Sequence, residues 1–314
     1  MRMMKNNVNV QVGTQTAKSK KRIEIKVCHL IILVALLAYT ISLLTPLLWM
    51  LLTSFKNTDN WDMAMYKKDL IGVIWIDSFR FENYVEAYNL ISITRTVDGV
   101  TYGSDLLIMF GNSLMYAGGC AVVATITPCV VAYLCARYEY RFGKVVYTIV
   151  LVTIAIPIIG NLPAEKRMID NFNLMDSLWA LLILKANFLG IYFLIFYAQF
   201  KGIARDYTSA AEIDGASEFR IMVQIIFPLA ISSITSVFLL NFIAFWNDYQ
   251  IPMVYWYNSP VVAFGLFEFS IDSDAAKTPI QLAGALLTAL PIIAVFAVFN
   301  KKVMSNMSTG GIKG

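Results

Sequence analysis

Six long apolar stretches dominate this sequence and constrain what it can fold into. A helix that crosses a membrane needs about 20 mostly apolar residues. Stretches of this kind occupy residues 28–52, 106–136, 145–164, 177–200, 227–246 and 281–299. Five of them contain no acidic or basic residue, and the fourth contains only Lys185. The sequence therefore predicts an all-α, polytopic membrane protein with six transmembrane helices.

The composition excludes a water-soluble protein. Hydrophobic residues make up 58% of the chain and charged residues 15%, whereas soluble chains have about 45–50% and about 25%. So few charges cannot cover the surface of a soluble protein of this size. Intrinsic disorder is excluded as well, because apolar residues are abundant and the net charge is only +4.

The distribution of Lys and Arg predicts the orientation. With the N-terminus inside, the inner segments hold sixteen basic and six acidic residues, and the longer outer segments hold eight and fifteen. Basic residues are enriched on the cytoplasmic side of membrane proteins. We therefore expect a multi-pass membrane protein with both termini in the cytoplasm. The first stretch, at 25 residues, exceeds the ~7–15 of a signal-peptide core, so we expect a retained anchor.

Motifs for catalysis, metal binding or nucleotide binding are absent from the sequence. The four cysteines lie in or beside apolar stretches, the single histidine is His29, and neither a CxxC pair nor a GxSxG, HExxH or GxxxxGK[ST] motif occurs. We therefore expect no catalytic residue, no metal site, no cofactor bound by this chain and no nucleic-acid partner. The chain is predicted not to hydrolyse ATP itself.

The segment between the fourth and fifth stretches is the most informative one. Residues 207–214 suit a short helix that places Ala210, Ala211 and Asp214 on adjacent positions, and Gly215 can supply the turn that ends it. Apolar residues then continue at helical spacing to Pro228. Physical reasoning alone leaves two interpretations open, an interfacial amphipathic loop without a partner and a docking element.

This segment resembles the EAA loop of bacterial ABC-importer permeases. The similarity lies in Ala210-Ala211-Glu212-Ile213-Asp214-Gly215-Ala216, with Pro228 thirteen residues after the glycine. In that family the loop helix sits in a cleft of the cytoplasmic ATPase subunit and transmits its movement. The usual Glu before the two alanines is Ser209 here, and a serine can instead hydrogen-bond backbone near the helix start. The resemblance implies an ATPase-docking set of Ser209, Ala210, Ala211, Glu212, Asp214, Gly215, Ala216 and Pro228.

Further fragments resemble the carbohydrate-uptake branch, specifically its maltose-type second permease. They are Phe245-Trp246-Asn247-Asp248-Tyr249 with Pro252, Phe81-Glu82-Asn83-Tyr84, Asn112-Ser113-Leu114, Gly284 with Pro291, and the ending Gly310-Gly311-Ile312-Lys313-Gly314. The likeness covers nearly the whole chain after residue 28. It implies a type I ABC-importer permease core and a sugar or oligosaccharide as the solute.

The resemblance also implies the partners and the mechanism. A second, homologous permease completes the pathway, a homodimeric or heterodimeric ATPase with ATP and Mg drives alternating access, and an extracellular solute-binding protein delivers the sugar. The C-terminal tail, through Gly310, Gly311 and Lys313, is expected to reach the ATPase pair. Much of the substrate contact is expected on the partner permease.

The predicted organisation has five parts. They are a cytoplasmic basic tail (1–27), a first transmembrane helix (28–52), an external segment (53–105), a five-helix permease core (106–304) that includes the ATPase-docking loop (201–226), and a cytoplasmic C-terminal tail (305–314). The external segment is too long for a bare connection, so we expect it to pack on the external face and to help receive the binding protein.

Candidate residues of the substrate pathway lie near the outer end of the fifth stretch and within the fourth. They are Trp246, Asn247, Asp248, Tyr249 and Lys185. Aromatic faces, amides and carboxylates suit sugar rings and hydroxyls, but interfacial aromatics are also common at membrane surfaces. Lys185 is a functional candidate as an ionisable residue within a membrane span, while a lysine can also extend to the headgroups or bond between helices.

Alternative functions remain at this point. A permease for a peptide or polyol phosphate is the nearest, and the Trp-Asn-Asp segment and the Gly-Gly-Ile-Lys-Gly ending argue against it by resemblance only. An ion-coupled secondary transporter would be expected to show more spans and paired ionisable groups. A membrane enzyme would need a cluster of reactive side chains within the spans, which the sequence does not contain.

Overall fold

The structure is a computed structural model that describes residues 27–75, 79–97, 100–138, 140–156, 160–271 and 277–307. It is mostly helical, which confirms the predicted class, and it adds one β-hairpin. The strands are β1 (Ser92–Val97) and β2 (Val100–Asp105). The helices are α1 (Val27–Ser54), α2 (Thr58–Lys67), α3 (Leu70–Ile74), α4 (Glu82–Leu90), α5 (Leu106–Arg137), α6 (Arg141–Ala155), α7 (Leu162–Asn171), α8 (Leu178–Lys185), α9 (Ile191–Gly202), α10 (Asp206–Ile213), α11 (Glu218–Ile221), α12 (Phe227–Leu229), α13 (Ile231–Trp246), α14 (Gln250–Tyr255), α15 (Val262–Ile271) and α16 (Thr278–Met307).

The chain divides into two units between Leu48 and Trp49. In the described part of the first unit, α1 is a continuous apolar helix. Its Thr40 and Thr45 hydroxyls donate to backbone carbonyls four residues earlier, each at 2.8 Å, so these polar groups are satisfied within the helix. The second unit contains all the elements from α2 onward and the end of α1.

Helices of membrane-crossing length are fewer than the six predicted stretches. Among the described residues, His29–Ser54, Leu106–Arg137 and Thr278–Val298 are long and apolar enough, and a fourth crossing results if Glu218–Leu229 and Ile231–Trp246, bent by 78°, form one span. The third and fourth stretches are helical but shorter, as α6 and as the separate pair α8 and α9.

Local backbone chemistry explains the two shorter stretches. Helix α6 ends before Ile156, which is extended (φ −102°, ψ 109°), as expected for a residue that precedes a proline, here Pro157. Between α8 and α9 the Asn187 side-chain oxygen accepts from the amide of Leu189 at 2.8 Å. Gly190 follows with φ 147°, a conformation that other residues avoid.

The β-hairpin lies in the predicted external segment, where the sequence interpretation placed no strand. β1 and β2 pair antiparallel, with Ser92 opposite Asp105 and Val97 opposite Val100. The sequence between them is Asp98-Gly99, a dipeptide that favours tight hairpins between β-branched residues. This signal was present in the sequence and was missed.

Two large apolar clusters share the long helix α5. The hairpin-end cluster contains Met109, Tyr116, Cys120, Leu181 and Phe264, and the loop-end cluster contains Cys129, Tyr133, Phe196, Phe200 and Ile226. A smaller cluster joins Ala117 and Ala121 to Phe242 and Trp246. Residues 122–128 of α5 belong to none of these clusters within the described part of the chain.

Candidate functional site

The predicted docking loop forms a short helix with a glycine turn. Helix α10 ends at Ile213, and Gly215 has φ +76°. The amide of Ala216 donates to the carbonyl of Ala211 at 2.9 Å, and the amide of Gly215 donates to the carbonyl of Glu212 at 3.0 Å. This is the Schellman pattern in which a left-handed residue ends a helix, so Gly215 supplies the expected turn.

The two alanines of the loop face opposite sides. Ala211 is buried in the loop-end cluster, with Ala216 half-buried against it. Ala210 and Asp214 are exposed. Ala211 therefore holds the helix on the bundle, while Ala210 and Asp214 lie on its exposed side. The assignment of these residues to ATPase docking stays a prediction.

Ser209 does not cap the helix start. The N-cap of α10 is Arg205, which makes no side-chain capping bond. Ser209 lies in the middle of the helix and lines a cavity of about 350 Å³ beneath it, together with Glu212. The capping role considered for this serine is therefore wrong, since its position is too far along the helix.

Three exposed apolar side chains near the loop were missed by the sequence interpretation. Tyr207 is 53% exposed, Ile213 86% and Phe219 71%. With Ala210, Asp214 and Gly215 they form the surface that we call the docking surface. Large apolar side chains with this exposure are typical of interaction sites when they are contiguous. The sequence signal for this surface is that Ile213 and Phe219 do not lie at helical spacing with the buried Ala211 and Ile221, respectively.

The loop is tied to the end of α5 through Tyr138. The Tyr138 hydroxyl donates to the carboxylate of Glu218, and its ring stacks on Tyr140 with centroids 5.4 Å apart. Burial, and then the bond to Glu218, raise the pKa of Tyr138 above its ordinary value. Arg137 lines the same cavity, and its Nε and Nη2 are buried without a hydrogen-bond partner among the described residues. These contacts join the loop to the end of α5.

Two further members of the predicted docking set are placed as follows. Glu212 is exposed on α10, and Pro228 is exposed in α12, beside the bend that leads into α13. A π-helical segment, Met222–Ile226, precedes Pro228, in keeping with a proline that cannot donate to the preceding turn. The predicted C-terminal contacts Gly310, Gly311 and Lys313 lie outside the described residues.

The aromatic and polar residues after α13 are engaged in local packing. Trp246 is buried against Phe242, with ring centroids 5.7 Å apart. Asp248 accepts from the Tyr116 hydroxyl at 2.8 Å and from the amide of Ile251 at 3.2 Å. The ring of Tyr249 stacks on Phe267 at 4.2 Å.

Asn247 is exposed, and its amide donates to Ile243 at 2.8 Å. Trp246 and Asn247 together line a mainly apolar cavity of about 500 Å³ against α15 and α16.

Lys185 lines a polar cavity of about 290 Å³. The cavity is bounded by residues 124 and 128 of α5, by α7, by the break between α8 and α9, and by α13. Its polar side chains are Asn161, Glu165, Lys185, Asn187 and Asn241. Residues 246–249 do not line this cavity, although Lys185 Nζ lies 5.6 Å from the ring centroid of the neighbouring Phe245. The cavity joins Lys185 to amides that the sequence interpretation missed.

The sequence of this chain matches a known protein family and several curated permeases. Residues 129–307 match the family described as "Binding-protein-dependent transport system inner membrane component". The chain is 23% identical over 282 residues to the diacetylchitobiose uptake system permease protein NgcG of Streptomyces coelicolor, covering 88% of this chain and 86% of that protein. It is 24% identical to the melibiose/raffinose/stachyose import permease protein MelC of Bacillus subtilis, covering 74% and 81%.

A third relative and one solved structure agree with these matches. The arabinooligosaccharides transport system permease protein AraQ of Halalkalibacterium halodurans is 27% identical, over 65% of this chain and 74% of that protein. A crystal structure of a bacterial ABC transporter involved in the import of the acidic polysaccharide alginate matches with a TM-score of 0.68 and 18% identity. It covers 88% of this chain and 96% of the matched chain. At that identity the structural match supports the fold.

Proposed function

Because the chain belongs to the family of binding-protein-dependent transport system inner membrane components, we propose that it carries a saccharide through the bacterial inner membrane as one permease of an ATP-driven importer. The chain is a non-enzymatic ABC permease subunit, and ATP hydrolysis takes place on a separate subunit. The named substrates of three similar permeases, diacetylchitobiose, arabinooligosaccharides and the melibiose/raffinose/stachyose group, are all saccharides.

The observation that carries this proposal is the docking surface within the family-matched region. An exposed helix that ends in a left-handed glycine projects Ile213 and Phe219 into solvent between two apolar segments. A surface of this kind needs a partner to cover it. The cytoplasmic ATPase is the proposed partner, and ATP and Mg are proposed to bind there and not on this chain.

The remaining assembly follows from the family. A second permease, an ATPase pair and an extracellular solute-binding protein are its general partners, and their specific identities are part of the proposal. Both termini are proposed to lie in the cytoplasm, because the segments on the side of the N-terminal tail and the docking loop together hold sixteen Lys and Arg residues, and those on the other side hold eight. The tail residues Gly310, Gly311 and Lys313 stay a proposed contact with the ATPase.

ATP hydrolysis by the reconstituted assembly tests this proposal. We expect proteoliposomes that hold both permeases and the ATPase to hydrolyse ATP faster when saccharide-loaded binding protein is added. Binding protein freed of solute serves as the control and should stimulate less. Equal hydrolysis with loaded protein, empty protein and none would contradict the proposal. Mass spectrometry of the solute retained by the binding protein would show a peptide or polyol phosphate if the substrate class is wrong.

A further inference from the structure

We propose that the polar cavity beside Lys185 is a substrate subsite of this chain and that it binds a single uncharged sugar ring. This inference rests on the proposed import function and assigns part of the substrate contact to this subunit. The first argument is the position of the cavity. It lies against residues 124 and 128 of α5, in the interval that separates the hairpin-end cluster from the loop-end cluster.

The lengths of α8 and α9 place residues 122–128 of α5 within the apolar part of the membrane. Helix α8 has 8 residues and α9 has 12, which correspond to about 12 Å and about 18 Å of helix. Leu182 of α8 packs at Gly119, where an added Cβ would meet its Cδ2 at 2.9 Å. Phe200 of α9 packs on Tyr133, with ring centroids 5.6 Å apart. The break between the helices is therefore near the middle of a bilayer whose apolar core is about 30 Å thick.

The break itself requires polar surroundings. Irregular backbone at membrane depth is tolerated only where it is buried in protein or lines a polar cavity. Residues 186–190 are irregular, and the last carbonyls of α8 and the first amides of α9 have no partner within their own helices. Asn187 and Gly190, which set the shape of the break, both line the cavity. Transporters use discontinuous helices of this kind at binding sites.

The side chains retain hydrogen-bonding capacity toward the cavity. The Asn241 amide donates to the Thr125 hydroxyl at 3.1 Å, which leaves its carbonyl oxygen as an acceptor. The Asn187 oxygen accepts from Leu189, which leaves its amide hydrogens as donors. Among the described residues neither remaining group has a protein partner. Sugar hydroxyls both donate and accept, so they match this mixed set.

The charges of the cavity favour an uncharged ligand. Lys185 and Glu165 both line it, so one cation faces one anion. Within the described residues no carboxylate forms an ion pair with Lys185, whose Nζ lies 5.6 Å from the centroid of Phe245. Glu165 accepts from the amide of Asn161. Because these two formal charges cancel, a ligand with a net charge would find no excess of opposite charge in the lining.

The size and the lining select one sugar ring. The volume of about 290 Å³ is at the small end of ligand pockets, which hold about 300–1,000 Å³. Phe188 and Tyr192 supply aromatic faces, which suit the C–H faces of a pyranose. An oligosaccharide would therefore pass through this subsite one unit at a time.

Thiol protection in the assembled complex tests the subsite. The four native cysteines are replaced by serine, Asn187→Cys is introduced, and labelling by a small water-soluble thiol reagent is followed with and without glucose, galactose or N-acetylglucosamine. We expect at least one of these neutral sugars to slow labelling about tenfold at ten times its Kd. Glucuronate and glucosamine, which carry charges, should protect less. The matched control is Gln199→Cys, on α9 outside the cavity lining, which no sugar should protect.

Transport by leucine variants supplies the second measurement. Asn187→Leu and Asn241→Leu should each reduce saccharide uptake about tenfold, the loss expected for one hydrogen bond in a desolvated site. Asn187→Ser should recover part of the uptake, and Gln199→Leu should leave it unchanged. A complex that imports saccharide normally with both leucine variants, and shows no sugar protection at position 187, would overturn the subsite while leaving the import function intact. Equal protection by glucuronate would overturn the neutral ligand class.

Discussion

The docking surface and the polar cavity are built in opposite ways. The docking surface comes from one continuous segment, residues 207–219, and its shape follows from the left-handed turn at Gly215. The cavity draws on α5, α7, α8, α9 and α13, so residues as far apart as Ala124 and Asn241 meet there. A local surface can be conserved in shape while the rest of the bundle diverges, whereas a cavity of this kind changes with every element around it. This contrast fits the proposed division of roles, with coupling to the ATPase at the loop and solute contact in the bundle.

The largest expected effect comes from replacing Gly215 by valine. A β-branched residue at φ +76° costs about 1–3 kcal/mol in the native turn, and relief of that strain would tilt the docking surface. We expect saccharide uptake by the reconstituted complex to fall at least about tenfold, while the complex still assembles in the membrane. Gly202→Val is the matched control, because an added Cβ there meets nothing within 4 Å and no left-handed conformation is needed. Normal uptake by the Gly215→Val variant would show that the loop does not couple the ATPase to transport.

A smaller effect is expected from Ile213→Asp on the docking surface. The Ile213 side chain is 86% exposed, so a charge there should leave folding unchanged but weaken a complementary apolar contact. We expect the affinity for the ATPase to fall about tenfold or more, measured by binding of the purified ATPase to permease-containing nanodiscs. Phe172→Asp, at the C-cap of α7 and 70% exposed, should leave this affinity unchanged. Equal loss in both variants would show that Ile213 has no special role.

A moderate effect on stability is expected from Tyr116→Phe. Tyr116 is fully buried and donates to Asp248 at 2.8 Å, so its loss leaves a carboxylate oxygen without that donor. We expect a destabilisation of about 1–3 kcal/mol, seen as a lower unfolding temperature in nanodiscs. Tyr88→Phe, on the partly exposed face of α4, should have little effect. If uptake per folded complex fell much more than stability did, Asp248 would belong to the solute pathway and not to the framework.

The smallest effect is expected from the ion pairs between α2 and the start of α16. Lys277 lies 2.7 Å from Asp59 and 2.9 Å from Asp62, which lowers the pKa of Asp59 below 3.8 and raises the pKa of Lys277 above 10.5. The two ion pairs should stabilise the fold fully between pH 3.8 and pH 10.5. This stabilisation should be lost as pH falls through the lowered pKa of Asp59, or as pH rises through the raised pKa of Lys277. We expect Lys277→Met to lower the unfolding temperature slightly at neutral pH.

The difference in unfolding temperature between the wild-type protein and Lys277→Met can be checked by changing salt and pH. Because all three groups are exposed to solvent, it should shrink further in high salt. It should also narrow below pH 3.8, where the wild-type protein loses the same pairs. A difference that is constant across salt and pH would assign the effect to packing of the lysine stem.

The sequence predicts the parts of this protein that depend on local patterns. Long apolar stretches, the helix of the docking loop and the turn at Gly215 follow from periodicity and from the backbone freedom of glycine. The inward direction of Ala211 does not, because neighbouring alanines differ only in which one meets the loop-end cluster. The hairpin was readable from Asp98-Gly99 and was missed because helices dominate the chain.

The polar cavity could not be predicted from local sequence patterns. Asn187 and Asn241 lie in apolar stretches, where a single amide has little effect on mean hydropathy. Their meeting with Lys185 depends on the packing of α5 between α8, α9 and α13. Asp248 and Trp246 are pathway candidates by residue type, with packing at the membrane interface as the alternative. Their contacts with Tyr116 and Phe242 depend on tertiary packing that the sequence does not display.

The most direct test of the proposed ATP-driven import is uptake of saccharide by proteoliposomes, with and without the ATPase subunit. The binding protein and its identified solute are placed on one side and ATP with Mg on the other. We expect concentrative uptake that requires ATP, the ATPase and the loaded binding protein together, and that is lost with Gly215→Val. Uptake by this chain alone down an ion gradient, without any ATPase, would contradict it.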